Sequence, residues 1–332
     1  MAKRSKAVLK KIRVEDAIGK PLFHDLTGIM ADGFKGVVFK KGHIIKKEDI
    51  DKLKDIGKEH IFVGSLDQGF VHEEDAIKNV ADDLMGKNTY YTDPKEGKIS
   101  IKAKTDGLFI INRKALFGLN MVGDYTLATI PSFSIVKKDQ NLVGARIVPL
   151  YTKKENMEKF KDLALKERPI FEVRKFQKLK VGVIITGNEI YTGRIKDLFE
   201  PIIRKKLIPY EKEILGIEKC PDDLAYIKKK LGEFLEKGAD LIVFSGGMSV
   251  DPDDLTPTII RQMSDEFITQ GLPVQPGNML TVGRKNGAYL VGVPGASIHA
   301  DFTSFDIFLP RFFAKLNLKK KDFIELGEGG LL

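Results

Sequence analysis

Residues 239–257 read Ala-Asp-Leu-Ile-Val-Phe-Ser-Gly-Gly-Met-Ser-Val-Asp-Pro-Asp-Asp-Leu-Thr-Pro, an apolar run that empties into two glycines, hydroxyls and a cluster of carboxylates. That composition suits a phosphorylated ligand. Without side chains, Gly246 and Gly247 let the backbone adopt unusual dihedrals and bring its N–H groups close to an anion. Residues 241–244, apolar throughout and bounded by turn formers, predict a strand covered on both faces. Thr256 is expected to cap a helix with Pro257 at its first position, so that the helix's positive end faces the same spot.

Those residues also carry a resemblance. Ser245-Gly246-Gly247-Met248-Ser249-Val250 with Asp254 behind it resembles the Ser-Gly-Gly-x-Ser-x-Gly-x-x-Asp signature of the molybdopterin-binding domain. Molybdopterin adenylyltransferases and molybdopterin molybdotransferases (molybdenum insertases) share that domain. Thr186-Gly187-Asn188-Glu189, after a strand expected at 181–185, is similar to the family's Thr-Gly-Asp/Asn-Glu, and Gly193-Arg194-Ile195-Lys196-Asp197 to its Gly-x-Ile-x-Asp. Pro221-Asp222-Asp223 stands where the family has an acidic turn; Pro276-Gly277 and Val293-Pro294-Gly295 stand where it has two Pro-Gly loops. These elements keep their order from 186 to 295.

The resemblance implies a ligand set of Thr186, Gly187, Asn188, Asp197, Ser245, Gly246, Gly247, Ser249, Pro276, Gly277, Pro294 and Gly295 around molybdopterin, which is adenylylated in the insertase reaction. It puts the carboxylates Glu189, Asp197, Asp222 and Asp254 near one pocket. Carboxylates converging on an anion repel it unless a divalent cation lies between them or one of them works as acid or base. Glu189, Asp222 and Asp254 are therefore the catalytic candidates, with Asp222 and Asp254 as Mg²⁺ ligands and molybdate or tungstate as the oxyanion. Blander roles stay open: Asp197 as a first-turn helix charge, Asp222 as an N-cap, Ser249 as the cap of its own turn. Asp251 replaces a family glycine, Asn278-Met279 replaces Lys-Pro, and Ala296-Ser297 replaces Asn-Pro. The insertase Asp-Gly-Tyr-Ala stretch is absent. His299 either donates to an oxyanion or is structural; His24, His43, His60 and His72 show no metal spacing.

To hold such loops the chain needs a sheet, and its pattern supplies one. Residues 177–318 alternate strand and helix, the signature of an α/β domain with a doubly wound, mostly parallel sheet whose ligands sit at the strands' carboxyl ends. Strands are expected at 180–186, 211–217 and 240–244, with helices at 195–207, 222–237 and 257–263. A hairpin follows at 280–284 and 288–291, turned by Asn286-Gly287. A last helix over 297–316 shows Ile298, Phe302, Phe305, Leu309 and Phe312 on one face, kinked by Pro310. A polar, frayed tail is expected over 319–332.

The N-terminal half reads as smaller β-rich units. Residues 1–72 form an α+β unit: a strand pair turning at Lys41-Gly42, a helix over 47–57 with Ile50, Leu53 and Ile56 on one face, and a strand at 60–63. Part of it is similar to a segment of the insertase first domain. Residues 73–176 read as a mostly β insert with strands near 99–103, 107–112, 125–130 and 144–150, closed by a charged helix over 153–167. Residues 119–125, with Met121, read as core, and 64–69 as a linker.

A chain of 332 residues is long for one core and points to two or three domains. Its net charge of +9 comes from lysines scattered among acidic residues, without the basic, aromatic-interleaved face or recognition motif of a nucleic-acid binder. One cysteine rules out an internal disulfide, no stretch of 18 apolar residues suggests a membrane span, and residues 1–13, though basic, lack the apolar stretch of a signal peptide, so a cytoplasmic location is expected. The reading that follows is a molybdenum-insertase-like protein, self-assembled as a dimer or trimer. The alternatives are a non-catalytic molybdopterin carrier or sensor that uses 73–176 to meet a molybdoenzyme or biosynthetic partner, and a Mg-ATP-dependent molybdopterin adenylyltransferase.

Overall fold

The computed structural model describes residues 8–29, 33–248 and 254–332. They form two compact units, one ending at Arg174 and one beginning at Lys175.

In the first unit, Val8–Arg13 pairs antiparallel with His60–Ser65. Leu53 of helix Asp49–Asp55 is buried among Val14, Leu22, Ile45 and Ile61. The strand pair expected at Lys41-Gly42 does not form. Lys35–Phe39 returns along Leu26–Ile29 instead, and the residues after Gly42 contribute a bridge from Ile44 to Pro21. Glycine–apolar alternation marks a strand without naming its partner.

The rest of that unit holds a four-stranded antiparallel sheet, ordered Thr89–Tyr91, Lys98–Ala103, Asn141–Ile147, Tyr125–Thr129, and a three-stranded one, ordered Ile135–Val136, Gly107–Ile111, Phe171–Arg174. Helix Lys154–Lys166 is where the charge pattern put it. Two further helices were not expected. Glu73–Leu84 buries Ala76, Ile77, Val80, Ala81 and Leu84 at helical spacing, and Arg113–Asn120 is capped by the Asn112 side chain. Met121 is 70% exposed rather than core, because it follows the helix on its solvent side.

The second unit contains the α/β sheet. Its strands β1 (Leu179–Thr186), β2 (Lys212–Cys220), β3 (Leu241–Ser245), β4 (Glu266–Gln270), β5 (Thr281–Lys285) and β6 (Ala288–Gly292) lie in the order β2-β1-β3-β6-β5-β4. The first four are mutually parallel; β5 and β4 extend the sheet antiparallel. Its helices are α1 (Asn188–Tyr191), α2 (Phe199–Leu207), α3 (Leu224–Glu236), α4 (Thr256–Met263), α5 (Ser304–Phe313) and α6 (Lys320–Ile324).

Successive side chains of a strand point to opposite faces. Val181, Val183, Ile185 and Val243 accordingly pack with Ile203 and Leu207 of α2 and Phe305, Phe308 and Phe312 of α5, while Ile184, Ile242 and Phe244 pack with Ile227, Leu231 and Phe234 of α3 and Ile259 and Ile260 of α4. The sheet is therefore apolar on both faces, which is why its strands read as unbroken apolar runs. The Phe234 ring lies over Gly182 and Gly216, partners across β1 and β2; a Cβ on Gly182 would come within 2.7 Å of it.

Element ends depart from the sequence pattern where side chains cap them. Helix α2 starts at Phe199, not 195, because Asp197 Oδ1 accepts from the N–H groups of Phe199 (2.8 Å) and Glu200 (3.2 Å). Thr256 is the first residue of α4 rather than its cap. The expected helix over 297–316 is two pieces: a 3₁₀ turn, Gly295–Ile298, and α5, which Thr303 and Asp306 open with a reciprocal capping box. Phe302 falls in the break and is exposed. The tail is docked, not frayed: Phe323 of α6 is buried and stacks on Phe308 at 4.1 Å.

Candidate functional site

Parallel strands deliver their carboxyl-terminal loops to one end of the sheet. Thr186, the last residue of β1, is buried, with its Oγ1 3.4 Å from Thr256 Oγ1 and 3.4 Å from the Ser245 carbonyl. Thr256 Oγ1 donates to the Gly246 carbonyl at 2.8 Å, tying the start of α4 to the turn after β3. Gly246 has φ +86°, and a Cβ there would run into the Thr186 carbonyl oxygen. Only glycine fits, on both counts. Ser245 is fully buried, and its Oγ has no hydrogen-bond partner among the described residues.

The loop after β1 is tied to the loop after β2. Asn188 N–H donates to Asp222 Oδ2 (2.9 Å) and Asp222 N–H donates to Asn188 Oδ1 (3.1 Å). Asp223, not Asp222, caps α3, accepting from Tyr226 N–H at 2.7 Å. Asp197 is nearly buried and pairs with Lys219 at 3.4 Å besides capping α2. Glu189 is exposed on α1.

A cavity of about 450 Å³ lies beside the turn after β3. Gly246, Gly247 and Met248 form one wall, Gly277, Asn278 and Met279 a second, and Pro294, Gly295 and Ala296 a third, with Phe199 and Asp254 completing it. Six residues expected at the site thus line one cavity: Gly246, Gly247, Asp254, Gly277, Pro294 and Gly295. Thr186 and Ser245 lie behind its glycine wall, and Pro276 adjoins Gly277. Gly187, Asn188, Glu189, Asp197 and Asp222 are not among its lining residues. His299 is exposed and does not line it either. Ser249, Asp251 and Asp253 fall outside the described residues.

Asp254 is the sole ionisable side chain among the described lining residues. Asp222, the other expected Mg²⁺ ligand, has one oxygen engaged by Asn188 N–H, and among the described residues no three His, Cys, Asp or Glu side chains gather as metal ligands. The lining suits a pterin with a phosphate tail. Glycine amides and an aromatic wall suit a flat polar ligand with an anionic end. Phe199 escaped the sequence reading; its only signal was its place two residues after Asp197.

Residues 182–314 match the family described as "Probable molybdopterin binding domain". The chain therefore carries a molybdopterin-binding domain of the molybdenum cofactor biosynthesis class. Residues 11–65 match a separate domain of unknown function. A molybdopterin molybdenumtransferase of Haemophilus influenzae is 28% identical over 159 residues, 46% of this chain and 39% of that protein. A CinA-like protein of Mycolicibacterium gilvum is 32% identical over 104 residues, 31% of this chain and 24% of that protein. The chain thus spans well under half the length of these relatives. Among solved structures, a molybdopterin biosynthesis enzyme MoaB of Thermus thermophilus is 24% identical and aligns with 40% of this chain and 90% of its own, at a TM-score of 0.35. No helix among the described residues is long and apolar enough to cross a membrane.

Proposed function

We propose that this chain binds adenylylated molybdopterin and cleaves its phosphoanhydride while molybdate or tungstate enters the dithiolene, an insertase-like step of cofactor biosynthesis. The observation that supports this reading is the meeting of three loops, after β3, between β4 and β5 and after β6, each with a glycine, and Asp254 around one cavity. Backbone N–H groups of Gly246 and Gly247 would hold phosphate, the Ser249 hydroxyl would orient the ligand, and Ser245, fully buried, would support the glycine turn from behind. Thr186, buried behind them, keeps the glycine turn in place. Asp254, on the wall, is the group assigned to accept the proton of attacking water or of hydrogen molybdate. Glu189 and Asp222 are assigned to position the neighbouring loop. Adenylylated molybdopterin and the oxyanion are both substrates here, and no step passes through a protein-held Mg²⁺.

The reading also expects a cytoplasmic, self-assembled protein, with residues 1–72 and 73–176 as separate modules ahead of the α/β domain. The test is incubation of the pure protein with adenylylated molybdopterin and molybdate, with and without added Mg²⁺. AMP release and a product that reconstitutes an apo-molybdoenzyme are expected; neither appearing sinks the catalytic claim.

A second reading, a carrier or sensor, is favoured by the absence of any cation among the described lining residues, which leaves an incoming oxyanion without a charged partner. Tight molybdopterin binding without turnover would select it. ATP-dependent adenylylation of molybdopterin would instead select an adenylyltransferase.

A further inference from the structure

One cavity wall is held from outside the family-matched region. Residues 327–332, Gly-Glu-Gly-Gly-Leu-Leu, leave α6 and lie along Gln275 as a short parallel bridge: Gln275 N–H donates to the Gly330 carbonyl at 2.7 Å, and Leu332 N–H donates to the Gln275 carbonyl at 2.8 Å. Gly330 is buried, and a Cβ on it would run into the carbonyl oxygen of Pro273. Two residues beyond Gln275 the cavity wall begins with Gly277. From its other side that wall is held by Ser304, whose hydroxyl donates to the Gly277 carbonyl and whose N–H donates to the Pro276 carbonyl at 3.3 Å.

We propose that residues 327–332 are a positioning strand for the ligand cavity: paired with Gln275, they hold the 277–279 wall against the start of α5, and their release loosens that wall. The strand is suited to reversible release. Its contacts with Gln275 are two backbone hydrogen bonds, three of its six residues are glycines that lose the most freedom on ordering, and Leu331 is 84% exposed. It is hung from an anchored point, since Phe323 of α6 is buried against Phe308. Any binding site formed by the 277–279 wall is therefore incomplete without a segment that contributes no lining residue.

The proposal rests on the molybdopterin reading only for the choice of ligand. Gly330→Val and, separately, removal of residues 331–332 are compared with the unaltered chain by amide hydrogen exchange and molybdopterin titration. Leu280 N–H, which donates to the Gly277 carbonyl, and Ser304 N–H should exchange about tenfold faster or more, as expected when one or two modest hydrogen bonds are lost, with β1 and β3 amides unchanged. The molybdopterin dissociation constant should rise about tenfold for the same reason. Unchanged Leu280 and Ser304 exchange while the Gln275 amide is released overturns the proposal, as does unchanged affinity despite faster exchange. If the unaltered chain binds no molybdopterin, the ligand reading fails and the exchange result alone decides the strand's role. Using two variants guards against one that misfolds.

Discussion

Asn188 and Asp222, 34 residues apart in sequence, exchange two hydrogen bonds, each giving its backbone N–H to the other's side-chain oxygen. The loops after β1 and β2 are thereby one piece. A single hydrogen bond contributes about 1 kcal/mol net, so Asp222→Ala and Asn188→Ala, each of which removes the acceptor of one of the two bonds, should each cost about 1 kcal/mol in urea unfolding. Unchanged stability in both variants would mean that the clasp has no energetic content.

Asp254 separates catalysis from carriage. If it handles the proton, Asp254→Asn should lower AMP release by about 100-fold or more, as for a lost general base, while molybdopterin affinity changes little. Undiminished release would remove Asp254 from the chemistry.

Gly246→Ala should abolish ligand binding and destabilise the fold by about 2 kcal/mol or more, since the new Cβ meets both a positive φ and the Thr186 carbonyl. Thermal unfolding with ligand titration checks both effects. A stable variant that still binds would contradict the tight approach of this turn to β1.

Glu73, at the start of the first unit's helix Glu73–Leu84, should make stability depend on pH. Burial pushes its carboxyl up to about 7 from an ordinary 4.5, partly offset by Arg146. The folded state thus prefers the protonated form, and the stability this confers is present below pH 4.5 and lost as pH rises through about 7. Glu73→Gln should therefore gain melting temperature relative to the unaltered protein at pH 8, and little at pH 4. His24 and His72 act oppositely: burial holds both rings below their ordinary 6.5, so their neutral forms favour folding and that advantage is lost as pH falls below 6.5. A pH-independent difference between the Gln variant and the parent would show that the carboxyl is solvated.

The sheet was legible because β1 and β3 are apolar on both faces and the hairpin carries Asn286-Gly287, whose residues take φ +50° and +85° as a two-residue turn requires. The glycine loops were legible because Gly246 and Gly277 have backbone reasons to be glycine. Other features escaped because they depend on distant partners. Asp197 and Asp222 carry the residue type of catalytic acids but spend oxygens on capping α2 and clasping Asn188. The break before α5 was hidden because a continuous helical periodicity runs through Phe302, whereas the Thr303–Asp306 box sets the true start. The docked tail was hidden because its polar lysines precede a single buried phenylalanine.

The ring of Phe234, seated in the notch made by Gly182 and Gly216, works as a dowel between two adjoining strands. Sliding β2 by one residue against β1 would drive an isoleucine or leucine side chain into the space the ring occupies, so neither strand can creep past the other. That peg sits between the edge strand β2 and its neighbour β1, so Asn188 and Asp222, just past the carboxyl ends of those two strands, arrive at the rim level with each other.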